Sequence, residues 1–515
     1  MEKARTRYIN YWMDFSRQHK GNRIALRVEF DQINRAWDYL LHEDVSGASS
    51  QDRDEIIIKF VELLQEHLEY QGIWANGYIP WLEEALQAAR RLGNSANEFS
   101  ILNSLGAGYT DLGIIEKAET CLAEALTLAQ HSGDKNSQVV ILNNWGVLYY
   151  QTGRRQEARE RLEEAYSLLQ QLEQYPNAGQ ILNNLGSTFQ SLGDPNRARE
   201  CYVQALKLYE RNRDPAEGSA SFHNLGTLLA ELGEWREALG YLQQALVLRK
   251  KTGDRAREAV TLANIGRVYA RIGQFGEAIE HLNQAITIQR EILDIPATAD
   301  TLNSLGNIHR QLRHWKASEQ YLNESMRLHQ QVGNVAGQAE VLNNLGLVHR
   351  SMDQNEEALK CYEEAANLQR SSGDLSGEAS TLNNIGVVFR VKGDYNAALD
   401  IYQKALGIRR RTQDAVGEAI TLNNIGRIHR LQDNSDLAME YYLRALDLLQ
   451  RTGDRVNEAA ILSNIAMLHI DNRRWTDAEK ALHSAVTIDQ EYGLPTLEED
   501  RQALEWVRNN RMGKS

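Results

Sequence analysis

Asn303, Asn343, Asn383 and Asn423 stand forty residues apart, and Arg310, Arg350, Arg390 and Arg430 follow at the same interval, each seven residues on. A carboxamide carries two donors and an acceptor, so a row of asparagines can hold the backbone of an extended chain whatever its sequence. A row of guanidiniums binds carboxylates through paired N–H donors in a planar fork. Together the rows describe a clamp for an acidic, extended segment over residues 303–430. Asn143 and Asn183 continue the asparagine row towards the N-terminus, and Arg267 and Arg427 add guanidiniums three positions earlier in the period than the main arginine row. Each row also admits a structural use: bonds that fasten one repeat to the next for the asparagines, and ion pairs with neighbouring Glu and Asp for the arginines.

Side chains that recur in this way must be carried by elements that recur. Lines of forty residues begun at 101 and continued to 461 align ten units without a gap, and "WLEEALQAARRLGN" marks a degenerate unit over 61–100. Counting columns within a line, column 6 is Gly in nine units, from Gly106 to Gly426, and Ala466 in the tenth. Columns 2 and 5 are mostly Leu or Ile and column 9 is mostly aromatic or His, so columns 2, 5, 6 and 9 share one helical face. Glycine inside a helix costs about 1 kcal/mol against alanine. Its recurrence at column 6 therefore implies a helix contact too close for a side chain. Columns 3, 7 and 10 form an i, i+4, i+7 stripe beside that buried face. Column 4, Asn or Ser in every unit, is expected to bond across the seam between units.

Column 13 is Gly in six units and Asp353 or Asp433 in two, which marks a left-handed turn. Arg313 and Arg473 break that rule, so their turns are expected to be strained or differently shaped. A second apolar face runs through columns 18, 22, 25, 26 and 28, as in Ala398, Tyr402, Ala405, Leu406 and Ile408. Column 34 is often Asp after Gly, a helix stop followed by a helix cap. Each unit reads as a pair of antiparallel helices of about 16 to 18 residues.

A large apolar residue, Leu-Gly, an aromatic three later and an Ala-aromatic-Ala series in the second helix resemble the tetratricopeptide repeat. The forty-residue period is similar to the longer subtype of kinesin light chains and spindle-orientation adaptors, and of sensor regions in bacterial STAND-type signalling NTPases. The resemblance implies an all-α, right-handed superhelical solenoid of antiparallel helix pairs. Its concave face, lined by columns 3, 7 and 10, would hold a peptide or partner protein. The expected layout is a helical cap or linker over 1–60, a degenerate repeat over 61–100, ten repeats over 101–500, and a capping helix and tail over 501–515.

Within 1–60, "RIALRVEFDQINRAWDYLLHE" predicts an amphipathic helix ending at a loop near "DVSGASSQD". Glu29 followed by Asn34-Arg35-Ala36-Trp37 resembles the segment that joins switch module to repeat sensor in STAND-type regulators. The chain holds no phosphate-binding GxxxxGK[ST].

The bulk properties narrow the function. A net charge of −13 disfavours nucleic acid as a general partner, since phosphate affinity needs a positive face. There is no apolar run of membrane-spanning length and no signal-peptide stretch at the N-terminus, so a cytoplasmic protein is expected. Cys121, Cys201 and Cys361 share column 21 without a CxxC, and read as small buried apolar residues. His309, His349 and His429 fall in core column 9, one to a unit, too widely spaced to share a metal at the Zn–N distance of about 2 Å. Polar residues form ladders instead of converging on one point, so no catalysis and no cofactor are expected. The leading reading is a non-catalytic scaffold that binds a peptide or protein in its groove. The alternative is a ligand- or partner-sensing module of a STAND-type NTPase system.

Overall fold

The computed structural model describes residues 2–18, 29–42, 50–71, 78–172, 178–212, 215–494 and 496–512. Among the described residues the fold is all-α, with twenty-five helices in two compact units, 1–254 and 255–515. No helix among them is long and apolar enough to cross a membrane.

In the second unit, six helix pairs follow one another. The first helices are Arg255–Arg271, Ile295–Gln311, Val335–Ser351, Leu375–Val391, Ala415–Leu431 and Arg455–Asp471. Each packs on the helix that follows it, respectively Phe275–Glu291, Trp315–Gln331, Asn355–Ser372, Tyr395–Arg411, Ser435–Thr452 and Trp475–Tyr492. All have 17 or 18 residues, as the column pattern requires. The caps lie where the sequence puts them. Asp294, Asn334, Asp374, Asp414 and Asp454 each accept the backbone N–H three residues on, contributing about 1 kcal/mol per helix.

At column 13 the strained of the two expected alternatives holds. Arg313 (φ 58°) and Arg473 (φ 58°) adopt the same left-handed conformation as Gly273 (φ 79°) and Gly393 (φ 81°). Leu293 (φ 59°) and Gln413 (φ 56°) do so at the other helix end, in column 33. The turns are thus not reshaped around these residues. Helix-pair packing dictates the backbone, and the side chain absorbs the strain of a conformation that L-residues resist by roughly 1–2 kcal/mol.

Column 6 is the tightest contact in each pair. A Cβ built on Gly306 would lie 2.6 Å from Leu322 Cγ, and one on Gly346 2.5 Å from Tyr362 Cε1. Close approach of the two backbones offsets the propensity lost to glycine, and alanines at columns 18 and 25 (Ala358, Ala365, Ala398, Ala405, Ala438, Ala445) are wholly buried in the same contact. The unit closes with Leu497–Met512, which lays Leu504 and Val507 over Ala478 and Leu482 and so covers the last apolar face.

The first unit repeats the pairing through Trp235–Thr252. Its N-terminal helices are Glu2–Gln18, Phe30–His42 and Ser50–Gln71, the last packed on Ile79–Leu92 as the first member of a pair. Phe30–His42 is the part of the predicted amphipathic helix that is described; residues 43–49, in the predicted loop, lie outside the described residues. Trp37 stacks on Trp81 at 4.7 Å, with Phe60 against both rings, so aromatic packing replaces the Gly–Leu contact of the regular repeats here.

Candidate functional site: a cationic stripe on the first helices of the second unit

The asparagines of columns 3 and 4 are joined. Asn344 Nδ2 donates to Asn303 Oδ1 at 2.8 Å; Asn384 to Asn343, Asn424 to Asn383 and Asn464 to Asn423 repeat the bond, each at 2.9 Å. In the first unit Asn144 to Asn103 (3.0 Å) and Asn184 to Asn143 (2.8 Å) are the same joint. Column 4 therefore bridges the seam at these six asparagines, as expected, whereas Ser304 bonds Asp300 within its own helix. Column 3 has both a structural and a free end: its oxygen is spent on the seam, and that bond fixes which way the amide points. Among the described residues the –NH2 groups of Asn343, Asn383 and Asn423 have no partner, so each half-buried amide offers donors only.

The remaining asparagines are placed differently. Asn303 donates to Glu340 at 2.7 Å, so both its amide and its oxygen are engaged within the protein. Asn183 donates to Ser221 at 2.9 Å, while its buried oxygen lacks the seam bond. Asn143 donates only weakly, at 3.5 Å, to the adjacent Asn144. Asn143 and Asn183 belong to the first unit, so the donor row and the arginine row coincide only at Asn343, Asn383 and Asn423.

Truncating a seam donor tests this reading of the joint. Asn424→Ala leaves the half-buried Asn383 oxygen without its donor, which costs about 1 kcal/mol. Amide hydrogen exchange is expected to speed up along 375–431, with little change in repeats two or more away.

The arginines divide in the same manner. Arg430 pairs with Asp471 at 2.5 Å; Arg267 bonds Asn264, and burial lowers its pKa with Asp300 and Glu340 partly offsetting that. Arg310 makes a 3.3 Å bond to Asn307 and no ion pair. Arg350, Arg390 and Arg427 have no carboxylate partner among the described residues, and all three are half-buried. Burial is the main force lowering the pKa of Arg310 and Arg427, followed by Arg350 acting on the first and Arg390 on the second. No carboxylate offsets either; only the phenols of Tyr362 on Arg310, and of Tyr442 and Tyr402 on Arg427, act in the other direction. In a chain of net charge −13, this is a locally uncompensated positive stripe.

Three residues not singled out from the sequence complete the site. Tyr362, Tyr402 and Tyr442, in column 22, lie wholly buried against Gly346, Gly386 and Gly426. Each ring passes across the first helix at its glycine and brings its hydroxyl among the arginines. The charges of Arg350 and Arg310 act on Tyr362, those of Arg390, Arg427 and Arg350 on Tyr402, and those of Arg430 and Arg427, opposed by Asp471, on Tyr442. Among the described residues none of the three hydroxyls, nor the buried Arg390 Nε, makes a well-formed hydrogen bond, although Arg390 lies close enough to act on Tyr402 as a donor. Burial pushes Tyr362 and Tyr442 up to about 12, so these phenols stay protonated donors at ordinary pH. The available sequence signal was the coincidence of Gly, Arg and Tyr in columns 6, 10 and 22 of the same three lines.

His309 and His429 stack on Tyr321 and Tyr441, with ring centroids 5.1 and 5.3 Å apart, and burial lowers both imidazole pKa values. Cys201 is buried, whereas Cys121 and Cys361 are only half-buried; burial raises all three thiols, away from nucleophilic chemistry.

Tandem helix pairs of fixed period, close-packed through a column of glycines and presenting a ladder on their first helices, define a repeat protein. The family model for the tetratricopeptide repeat matches residues 137–211, 219–291, 297–371 and 377–451, together more than half of the sequence, and the chain belongs to that family. A model for anaphase-promoting complex subunit 5 also matches 28–148 and 428–498. No curated protein matches the chain. Among solved structures, BtubC (BKLC) from P. vanneervenii is 27% identical, covering 42% of this chain and 90% of its own, with a TM-score of 0.39. The apo quorum sensor NprR from B. thuringiensis is 15% identical over 70% of this chain and 99% of its own, at a TM-score of 0.49. A Rap protein complexed with Competence and Sporulation Factor is 14% identical over 73% of this chain and 99% of its own, at 0.47.

Proposed function

We propose that the protein is a non-catalytic scaffold whose second unit captures an acidic, extended segment of a partner protein on the face formed by columns 3, 7 and 10. The observation that carries this reading is the coincidence of unspent groups. Asn343, Asn383 and Asn423 offer amide donors to backbone carbonyls, and Arg350, Arg390 and Arg427 beside them lack carboxylates. Donors alone, repeated along a line, suit a chain of acceptors and do not make a reaction centre.

A fluorescein-labelled dodecapeptide of alternating Glu and Ala, titrated into the full chain, tests it. Binding is expected, with affinity falling at least tenfold between 50 and 200 mM salt as exposed charge pairs are screened. A matching Lys-Ala peptide should not bind. Equal binding of the two peptides, or none of either, overturns the reading.

A further inference from the structure

The stripe has a finer grain than its net charge. Tyr202 in the first unit sits on Gly186 as Tyr402 sits on Gly386, but its hydroxyl is satisfied by Ser187 (3.0 Å) and Gln190 (3.1 Å), in columns 7 and 10. In the second unit those columns hold Leu347 and Arg350, Val387 and Arg390, and Arg427 and Arg430. Aliphatic side chains offer no acceptor, and a guanidinium is donor-only. Among the described residues the three phenolic protons therefore have no acceptor. Tyr362 and Tyr402, with arginines acting on them, lack an oxygen acceptor that carries negative charge; at Tyr442 the Asp471 carboxylate is near but is held by Arg430, and the hydroxyl is left without an acceptor there too.

We infer that Tyr362, Tyr402 and Tyr442 are the floors of three discrete carboxylate sites, one per repeat, and that they select partner segments with an acidic side chain at every third position. This deepens the reading proposed above and rests on it. The spacing follows from the joint between repeats. A single amide–amide bond of 2.9 Å holds neighbouring first helices side by side, which puts equivalent residues about 10 Å apart. A polyproline-II segment has three residues per turn and rises about 3.1 Å per residue, so positions i and i+3 share a face roughly 9 Å apart. A β-strand places same-face residues at about 6.6 and 13 Å, neither of which matches. The hydroxyls are buried, and a carboxylate reaches them as it draws a guanidinium of the stripe towards itself. The same carboxylate then accepts from the tyrosine.

Four fluorescein-labelled peptides of thirteen residues and equal composition decide the matter, each with four Glu among Ala and Ser. They place Glu at every third position, at alternate positions, in one block, or at every fourth. The every-third peptide is expected to bind the full chain at least tenfold more tightly than the others. In the Tyr362→Phe/Tyr402→Phe/Tyr442→Phe variant, which keeps the rings and their packing, that preference should vanish while helicity stays unchanged. If all four bind wild type equally, or the triple variant keeps the preference, this inference falls and the acidic-groove reading stands. If none binds, both fall. A single-stranded oligonucleotide of equal charge binding more tightly than every peptide also overturns it, because phosphates rather than carboxylates would then be the ligand.

Discussion

Arg350→Glu combined with Arg390→Glu should lower affinity for an acidic extended peptide at least 100-fold, about 3 kcal/mol at 1.4 kcal/mol per decade. Both guanidiniums lack an intramolecular carboxylate, so reversal removes two attractions and installs two repulsions without breaking an ion pair. Helicity and melting temperature should hold, since neither side chain fastens the repeat. The matched control is Arg430→Glu. Arg430 is bonded to Asp471 at 2.5 Å, so reversing it puts two carboxylates face to face and should cost stability as well as affinity. A double variant that still captures the peptide at wild-type strength would show the stripe is not the binding surface.

Gly346→Leu should melt one repeat and leave its distant neighbours standing. The added Cβ alone would lie 2.5 Å from Tyr362, a ring with no exposed surface and no room to retreat. Overpacking of this kind typically costs about 1–3 kcal/mol, and four heavy atoms against a rigid ring belong at the upper end. Stability in a repeat array is nearly a sum of neighbour terms, so proteolysis should begin near 341–380 while 141–220 stays protected from exchange. A graded companion separates ring from aliphatic partners. Gly306→Ala faces Leu322, and the tenth repeat already tolerates Ala466 against Leu482, so it should be mild. Gly346→Ala, against the tyrosine, should be clearly worse. One global transition with uniformly lost protection, or no change at all, would refute the picture of a local close contact.

The helix pairs, their lengths, their caps and the meaning of column 6 were all legible in the sequence, because each follows from a 3.6-residue period or a terminal signal. The division of labour within the asparagines was not. A stripe on one helix reveals which residues share a face, but the seam bond that consumes the Asn383 oxygen comes from Asn424, on the neighbouring helix. The pairing of Arg430 with Asp471 was hidden for the same reason. Column 22 was read as an apolar face, and its tyrosines do pack as one. That their hydroxyls emerge among arginines depends on the missing side chain at column 6, two helices viewed at once. Left-handed Leu293 and Gln413 escaped notice because nothing local favours that conformation in either residue.

The amide joint between repeats is an asparagine donating to an asparagine at every seam from Asn303 to Asn464, so it is indifferent to which repeat supplies them. Excise residues 381–420, and Asn424 faces Asn343 with the same donor and acceptor that Asn384 had supplied. The array behaves like a ruler that can be cut at any graduation, and the two copies of "TLNNIG", at 381–386 and 421–426, are adjacent graduations bearing one inscription. Each cut or duplication would change the length of the scale and leave its divisions intact. On the proposed reading, the number of acidic side chains a partner must present is then set by how many lines the gene contains, and can be altered without redesigning a single contact.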